Sequence, residues 1–235
     1  MSDRHSHILF DFFGTLVDYT DGPAVTPARS LAVVNGLGAA IDAVEFNTRW
    51  AAEWARWEAA CSPELREFSM VEVATSFLPG AAPSDVDDFV SAYIAEWNAG
   101  VRYLPGLDTL LSSLASRWRL AVVSNTHEPD LVPSHLAAMG VADLVEVVVT
   151  SVEVGVRKPH PAIYASALTQ LGITAGDAVF VGDNPVADFT GPVAAGMTAF
   201  LIDPAARHPV PATHRLDSIF DLPARLAHLP DPLMT

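Results

Sequence analysis

Five short apolar runs are spaced along the chain, at residues 7–10, 120–123, 145–149, 178–181 and 199–202. Apart from His7 and Glu146, these runs are continuous and do not alternate between apolar and polar residues. Continuous apolar runs are typical of strands that are buried on both faces, as in a parallel sheet. The pattern therefore predicts a buried parallel sheet.

Helical patterns separate the last four runs. Two sets of apolar residues recur at helical spacing: Leu107, Leu110, Leu111 and Leu114, then Ile163, Tyr164, Ala167, Leu168 and Leu171. Alternating strands and helices are connected by right-handed crossovers, which place helices on both faces of the sheet. The predicted fold class is α/β, with a doubly wound, Rossmann-like parallel sheet.

The segment between the first two runs has no strand pattern and reads as helices. One helical stripe includes Phe46, Trp50, Trp54, Trp57 and Cys61. A second helix is expected to begin near Ser84, as its N-cap. We predict a core domain formed by residues 1–20 and 104–235, with an inserted all-helical domain at residues 21–103.

Polar residues stand at the ends of the predicted strands. They are Asp11, Ser124, Thr150, Asp183 and Asp203. In open α/β sheets, ligands bind beyond the carboxyl ends of the strands. A site is therefore expected at this edge of the sheet. Asp203 leads into a Pro-rich loop, and we expect it to lie outside the site.

Lys158 is the only lysine in the chain, which has twelve arginines. A lysine offers a compact point charge, whereas an arginine is a wide planar fork. Pro159 keeps Lys158 out of the helix that is expected to begin near Pro161. The pattern predicts a functional lysine in a loop at the entry to a helix.

Three aspartates are expected to converge at the same edge. Asp183 ends a predicted strand, Asp188 lies just inside the next helix, and Asp11 ends a neighbouring strand. Carboxylates a few Å apart repel each other unless a cation lies between them. Oxygen ligands of this kind suit Mg²⁺. The sequence therefore predicts a magnesium site.

Four sequence motifs follow one another in a known order: ILFDFFGTLVD, AVVSNT, GVRKPHPAIY and VFVGDNPVADFTGPVAAGM. In order and spacing they resemble the haloacid dehalogenase superfamily, subfamily I, whose helical C1 cap follows the first motif. The resemblance implies that the helical insertion is such a cap, which closes over the site and selects the substrate.

The resemblance also implies roles for individual residues. Asp11 would be the nucleophile and would form an aspartyl-phosphate. The implied substrate-binding set is Ser124, Asn125, Lys158, Gly14 and Thr15. Mg²⁺ would be held by the Asp11 carboxylate, the Phe13 backbone carbonyl and Asp183, with waters oriented by Asp188.

Phe13 departs from the family pattern, because phosphatases of this superfamily carry an aspartate there as the general acid and base. Three functions remain open. In the first, the chain is a Mg²⁺-dependent hydrolase of a small phosphorylated metabolite, whose leaving group needs little protonation or in which Asp18, Tyr19, His127 or a cap side chain replaces the missing acid. In the second, it is a 2-haloacid dehalogenase, since halide leaves without a proton. In the third, it is a weakened phosphate-ester-binding protein. The first, a phosphoric monoester hydrolase, is the expected activity.

Composition narrows the partners. The formal net charge of −15 argues against nucleic acid, and no apolar run approaches the ~20 residues that a membrane helix needs. The single cysteine, Cys61, excludes an internal disulfide. The N-terminal residues lack the pattern of a signal peptide, so we expect a cytoplasmic protein, either monomer or homodimer.

Overall fold

The computed structural model describes residues 5–20, 27–227 and 229. The chain divides into two compact units. The core unit holds the residues up to Asp18 and from Tyr103 onward, and the helical unit spans Tyr19–Arg102. The predicted domain boundary at residue 21 lies outside the described residues.

The core unit is built on a six-stranded sheet. Its strands are β1 (His7–Phe10), β4 (Arg119–Ser124), β5 (Val145–Thr150), β6 (Ala178–Gly182), β7 (Thr198–Ile202) and β8 (Arg215–Leu216). They lie in the order β5-β4-β1-β6-β7-β8, with every pair parallel. The predicted Rossmann-like α/β fold is confirmed. β8, with only two residues, was too short to give a pattern.

The strand order reverses at β1. The strands that follow β1 in the chain, β4 and β5, lie on one side of it, whereas β6, β7 and β8 lie on the other. Such a switch point opens a crevice at the carboxyl ends of β1 and β6, where open α/β sheets bind their ligands. Asp11 follows β1 and Asp183 follows β6, so both acids lie at the switch point.

Helices complete the core unit. They are α5 (Leu107–Ala115), α6 (Leu131–Ala138), α7 (Ser151–Val154), α8 (Pro161–Leu171), α9 (Gly191–Ala194) and α10 (Leu222–Leu226), together with a π-helix at Pro185–Thr190. The apolar stripe of α8 is buried against the sheet, with Ile163 and Tyr164 packed in one cluster with Leu9 and Phe180. Two short strands, β2 (Val17–Asp18) and β3 (Arg102–Tyr103), form a separate sheet.

The helical unit contains α1 (Ala28–Gly36), α2 (Ala43–Cys61), α3 (Met70–Phe77) and α4 (Pro83–Asn98). In the stripe of α2, Phe46, Trp50 and the free thiol of Cys61 are buried in one core, and Trp54 and Trp57 pack against it partly buried. No helix among the described residues is long and apolar enough to cross a membrane.

The predicted start of α4 at Ser84 was wrong. The helix begins at Pro83, with Ala82 as its N-cap, and the Asp85 carboxylate accepts a hydrogen bond from the Ala82 N–H at 3.2 Å. Proline is favoured in the first helical turn, because its fixed φ suits the helix and its missing N–H would have no partner there.

A buried carboxylate joins two helices of the helical unit. α1 has Pro27 as its N-cap and no side-chain cap of its own. Glu96 of α4, 4% exposed, takes that place: it accepts hydrogen bonds from the Arg29 N–H and from the Ser30 hydroxyl, the latter at 2.6 Å. A carboxylate at a helix N-terminus satisfies free N–H groups and interacts favourably with the helix dipole.

We expect Glu96→Ala to lower the free energy of unfolding of the helical unit by about 2–3 kcal/mol, because buried donors lose a charged acceptor. Urea unfolding followed by tryptophan fluorescence measures this unit, which holds Trp50, Trp54, Trp57 and Trp97 of the five tryptophans. Glu45→Ala is the control: its exposed i,i+4 pair with Arg49 is worth less than about 0.5 kcal/mol. Equal losses in both variants would contradict the capping role.

A buried histidine, His7, lies at the start of β1, at the end of the strand opposite Asp11. The Ser6 hydroxyl is 2.7 Å from His7 Nδ1, and a carboxylate oxygen of Glu146 is 3.9 Å from Nε2. Burial lowers the pKa of His7; the charges of Glu146 and Asp177 act in the opposite direction, and that of Arg119 adds to the lowering. His7 is therefore neutral in the folded protein at pH 7.

The stability of the core unit should depend on pH through His7. The folded state binds fewer protons than the unfolded state, so this contribution is present above the unfolded pKa of about 6.5 and is lost as pH falls through the lower folded value. We expect the free energy of unfolding of His7→Phe to fall less between pH 7.5 and pH 5.5 than that of the wild type. Urea unfolding followed by circular dichroism at both pH values checks this; an unchanged drop would show that His7 does not titrate as described.

Candidate active site

Asp11 is fixed where β1 ends. Its N–H donates to the Val181 carbonyl of the neighbouring strand β6 at 2.9 Å, and the residue is 7% exposed. The buried Thr15 hydroxyl donates to Asp11 Oδ2 at 3.1 Å. The turn between them closes with the Leu16 N–H on the Phe12 carbonyl. The strand, the turn and one hydroxyl together hold the carboxylate in one orientation.

Lys158 connects two of the acids. Its ammonium nitrogen Nζ donates to Asp11 Oδ1 and to Asp188 Oδ1, both at 2.7 Å, and lies 5.3 Å from the ring centre of Phe180. Burial alone would lower the pKa of Lys158, but the charges and hydrogen bonds of Asp11 and Asp188 outweigh it and raise that pKa. The lysine is therefore charged and held between two carboxylates.

The loop after β4 holds the backbone of Lys158. The Asn125 side chain accepts a hydrogen bond from the Lys158 N–H at 2.7 Å and donates one to the Lys158 carbonyl at 3.1 Å. Ser124, 1% exposed, ends β4 directly before Asn125. The Asn125 side chain thus connects the second motif to the third. Asn125 was predicted to bind substrate, and the structure adds a contact through which it positions Lys158.

Two glycines make room for the acids. Gly14 has a φ of +87°, and a Cβ at this position would lie 2.4 Å from Asp183 Oδ2. A Cβ on Gly182 would lie 2.4 Å from Cγ of Asp188. Any other residue at either position would push a carboxylate aside. Gly14 therefore serves the acid cluster, whether or not it also contacts a substrate.

The three predicted acids meet. Carboxylate oxygens of Asp11, Asp183 and Asp188 lie within 4.8 Å of one another. Asp183 is exposed, but the groups around it remove enough hydration to raise its pKa, together with the charge of Asp11, to about 6. Loss of hydration also raises the pKa of the buried Asp188. Three carboxylates face one lysine, and this excess of negative charge suits a divalent cation.

The donor set fits magnesium in particular. All three side chains offer oxygen atoms, and Mg²⁺ prefers carboxylate, carbonyl and water oxygens to nitrogen or sulfur. The three carboxylates converge at one point, and the pKa values of Asp183 and Asp188 are raised there, which is the arrangement that a bound cation would relieve.

Phe13 lies in an aromatic cluster of the core unit. Its half-buried ring meets Phe12 edge-on, with ring centres 4.9 Å apart, and His135 of α6, with ring centres 6.1 Å apart. The Tyr103 hydroxyl lies 2.9 Å from His135 Nδ1. Burial lowers the pKa of His135, which is therefore neutral at pH 7. Sequence reasoning missed His135 and Tyr103, since nothing in their spacing links them to the first motif.

The structure brings most of the predicted site together. Seven of the nine residues are joined by the contacts above: Asp11, Gly14, Thr15, Asn125, Lys158, Asp183 and Asp188. The roles of Ser124 in phosphate binding and of the Phe13 carbonyl in metal binding stay predictions. Tyr164, whose hydroxyl donates to the Ala187 carbonyl next to Asp188, was predicted only as a residue of the apolar helix face.

A Rossmann-like sheet with acids and one lysine at its switch point is the layout of an α/β enzyme whose ligand binds at the carboxyl ends of the strands. The family model for haloacid dehalogenase-like hydrolases matches residues 5–196. The chain therefore belongs to the haloacid dehalogenase-like hydrolases, and the resemblance of its four motifs is confirmed. Its subfamily and the C1 cap stay predictions.

Curated relatives include phosphatases. A phosphoglycolate phosphatase of Rhodospirillum rubrum is 30% identical over 91% of this chain and 86% of its own length. A phosphoserine phosphatase of Thermus thermophilus is 30% identical over 54% of this chain and 51% of its own length. The chain spans about half the length of this second relative and of several others that it matches.

Solved structures share the fold along nearly the whole chain. A 2-haloacid dehalogenase from Pseudomonas syringae covers 95% of this chain and 98% of its own, with a TM-score of 0.73 and 22% identity. A HAD phosphatase from Thermococcus onnurineus covers 94% of this chain and 97% of its own, with a TM-score of 0.68 and 23% identity. At these identities the likeness establishes the fold and does not decide between the two chemistries.

Proposed function

We propose that this protein is a Mg²⁺-dependent hydrolase of small phosphorylated metabolites that works through an aspartyl-phosphate on Asp11. The observation that carries the proposal is the cluster of three carboxylates around one buried lysine. A phosphorylated substrate brings further negative charge, and only a site that offsets charge with a cation can accept it. The two phosphatase relatives support the same chemistry.

Asp11 is the nucleophile in this mechanism. One of its carboxylate oxygens attacks phosphorus, the bond from phosphorus to the leaving oxygen breaks, and that oxygen departs with the electron pair. Water then attacks the phosphorus of the aspartyl-phosphate, which releases inorganic phosphate and restores the Asp11 carboxylate. The Thr15 hydroxyl on Oδ2 and the Lys158 ammonium on Oδ1 orient the carboxylate for attack.

Lys158 offsets charge on Asp11 and on the transferred phosphoryl group. Because it also binds Asp188, its ammonium stays in place when the Asp11 oxygen forms its bond to phosphorus. The Ser124 hydroxyl and the Asn125 N–H, at the end of β4, would donate hydrogen bonds to phosphoryl oxygens. Phosphoryl transfer depends mainly on such positioning and charge stabilisation.

Asp11, Asp183 and the Phe13 carbonyl would hold the magnesium ion, with Asp188 orienting its waters. When bound, the ion supplies positive charge that screens the nucleophile from the phosphoryl oxygens. The oxygen-only donor set and the space that Gly14 leaves for Asp183 support this assignment.

Phe13 limits the range of leaving groups. A phenyl ring can neither donate a proton to the departing oxygen nor take one from the attacking water, and such help is typically worth about 10²–10⁴ in rate. The enzyme should therefore favour substrates whose leaving oxygen is a weak base. Phosphoesters of acidic hydroxyl groups and acyl phosphates have this property.

A phosphate-release screen over metabolites, with Mg²⁺ and with EDTA, tests the proposal. We expect turnover that requires Mg²⁺ and is faster for weakly basic leaving groups.

The aromatic residue at position 13 favours one second candidate, dehalogenation, because halide leaves without a proton. Halide release from 2-haloacids in EDTA would establish that activity, whereas tight binding of phosphate esters without turnover would indicate a binding protein.

A further inference from the structure

The segment that carries Asp188 is wound as a π-helix, Pro185–Thr190, rather than as an α-helix. Such turns are rare and are often found at functional sites. The Asn184 side chain caps its start by accepting from the Val186 and Ala187 N–H groups, at 2.9 and 3.0 Å. The Gly191 N–H closes it by donating to the Val186 carbonyl, five residues back.

This winding leaves the Ala187 carbonyl in need of a donor. In a π-helix its partner would be the N–H five residues on, but that residue is Pro192, which has no N–H. The Gly191 N–H, the partner in an α-helix, is already given to Val186. Ala187 is buried, and a buried carbonyl without a partner is costly.

Tyr164 supplies the missing donor. It lies on α8, is fully buried, and its hydroxyl donates to the Ala187 carbonyl. A Cβ on Gly191 would lie 2.2 Å from that hydroxyl, so the glycine provides the space for it. Tyr164, Gly191 and Pro192 thus fit together around one carbonyl, directly before Asp188.

Each carboxylate oxygen of Asp188 has a hydrogen-bond donor on this support. Its Oδ1 accepts from Lys158 at 2.7 Å and its Oδ2 accepts from the Asn184 N–H at 2.9 Å. Its own N–H donates to the Asn184 carbonyl at 2.8 Å. Any shift of the π-helix therefore moves the carboxylate that anchors the Lys158 ammonium.

We propose that Tyr164 is a positioning residue of the active site, which holds Asp188, and through it Lys158, by its hydrogen bond to the Ala187 carbonyl. The hydrogen-bond role of Tyr164 stands apart from the proposed function, and only the expected change in kcat rests on it. The hydroxyl does not touch a substrate, because the side chain is fully buried. Its effect must be seen first at Lys158.

The single lysine makes this measurable. Protein labelled with ¹⁵N-lysine carries one side-chain ammonium, that of Lys158. We expect Tyr164→Phe to shift its ¹⁵Nζ resonance and to speed its hydrogen exchange about fivefold, the effect of one lost buried hydrogen bond on a local opening equilibrium. Tyr93→Phe, at a buried tyrosine of the helical unit, is the control and should leave the signal unchanged.

A second variant tests the cause. Pro192→Ala restores an N–H five residues beyond Ala187, so in Tyr164→Phe/Pro192→Ala the ammonium signal should return toward that of the wild type. A signal in Tyr164→Phe that matches the wild type, or a double variant that does not recover, would overturn the proposal. If Tyr164→Phe alone fails to fold, the double variant decides. A folded Tyr164→Phe/Pro192→Ala protein with the wild-type ammonium signal supports the proposal, and a double variant that also fails to fold, or whose ammonium exchanges faster than in the wild type, overturns it.

Kinetics supply the second readout. We expect Tyr164→Phe to lower kcat about fivefold with an unchanged KM, since the change reaches the reaction through Lys158 and not through substrate contacts. A KM effect alone would contradict positioning. If no phosphatase activity is found, the proposed function fails, while the ammonium signal still tests Tyr164.

Discussion

Asp11→Asn should abolish Mg²⁺-dependent phosphate release, with a loss of at least about 10³-fold in kcat, because the amide cannot form the aspartyl-phosphate. The change keeps the size of the side chain, and the Thr15 hydroxyl can still donate to the amide oxygen. Lys158 would retain Asp188 as its partner. The measurement is phosphate release with saturating Mg²⁺ on the best substrate of the screen.

Asp203→Asn is the matched control. Asp203 is also a buried aspartate at the end of a strand, β7, but its carboxylate accepts from the Arg207 and His208 N–H groups, each at 3.0 Å, and so orders the loop that follows. We expect this variant to lose stability and to keep its specific activity. Asp11→Asn with near-normal turnover would remove the nucleophile from the mechanism and leave Asp11 as a structural residue.

The fold could be predicted from the sequence because its strands are buried on both faces. Runs such as residues 178–181 are continuous, and their polar ends lie at one edge once the sheet is parallel. Lys158 could be found for a different reason: it is the only lysine, and Pro159 keeps it outside a helix. The acids and the lysine were therefore predictable as a set, and the structure adds their hydrogen bonds.

The supporting contacts could not be predicted, because they depend on three-dimensional packing rather than on local pattern. Tyr164 fits the apolar stripe of α8, and only the fold shows that its hydroxyl reaches the Ala187 carbonyl. Glu96 and Ser30 are far apart in sequence, so their buried hydrogen bond leaves no spacing to read. The start of α4 was misplaced because Ser84 is a good N-cap by residue type, while Pro83 decides the local geometry.

Phe13→Asp should raise the rate on a poor leaving group far more than on a good one. The new carboxyl group restores a proton donor and acceptor at the position that lacks one, and such help is worth about 10²-fold or more when the leaving oxygen is strongly basic. An alkyl phosphate such as glycerol phosphate should gain by about this factor. p-Nitrophenyl phosphate, whose leaving group needs little protonation, should gain by less than about threefold.

Phe13→Asn separates proton transfer from packing. Asparagine matches aspartate in shape and loses the same ring contacts with Phe12 and His135, but it cannot exchange a proton at neutral pH. We expect no gain on either substrate in this variant. The backbone carbonyl at position 13 is retained in both, so a metal held there would remain.

The comparison decides what the aromatic residue does. A gain confined to aspartate and to the alkyl phosphate would show that the site lacks only its acid and base. An equal gain on both substrates, or the same gain with asparagine, would show instead that the ring blocks substrate access. If His135 pairs with the new carboxylate, the gain should be smallest at low pH, because a protonated imidazole would hold the carboxylate in its charged form and away from its role as an acid.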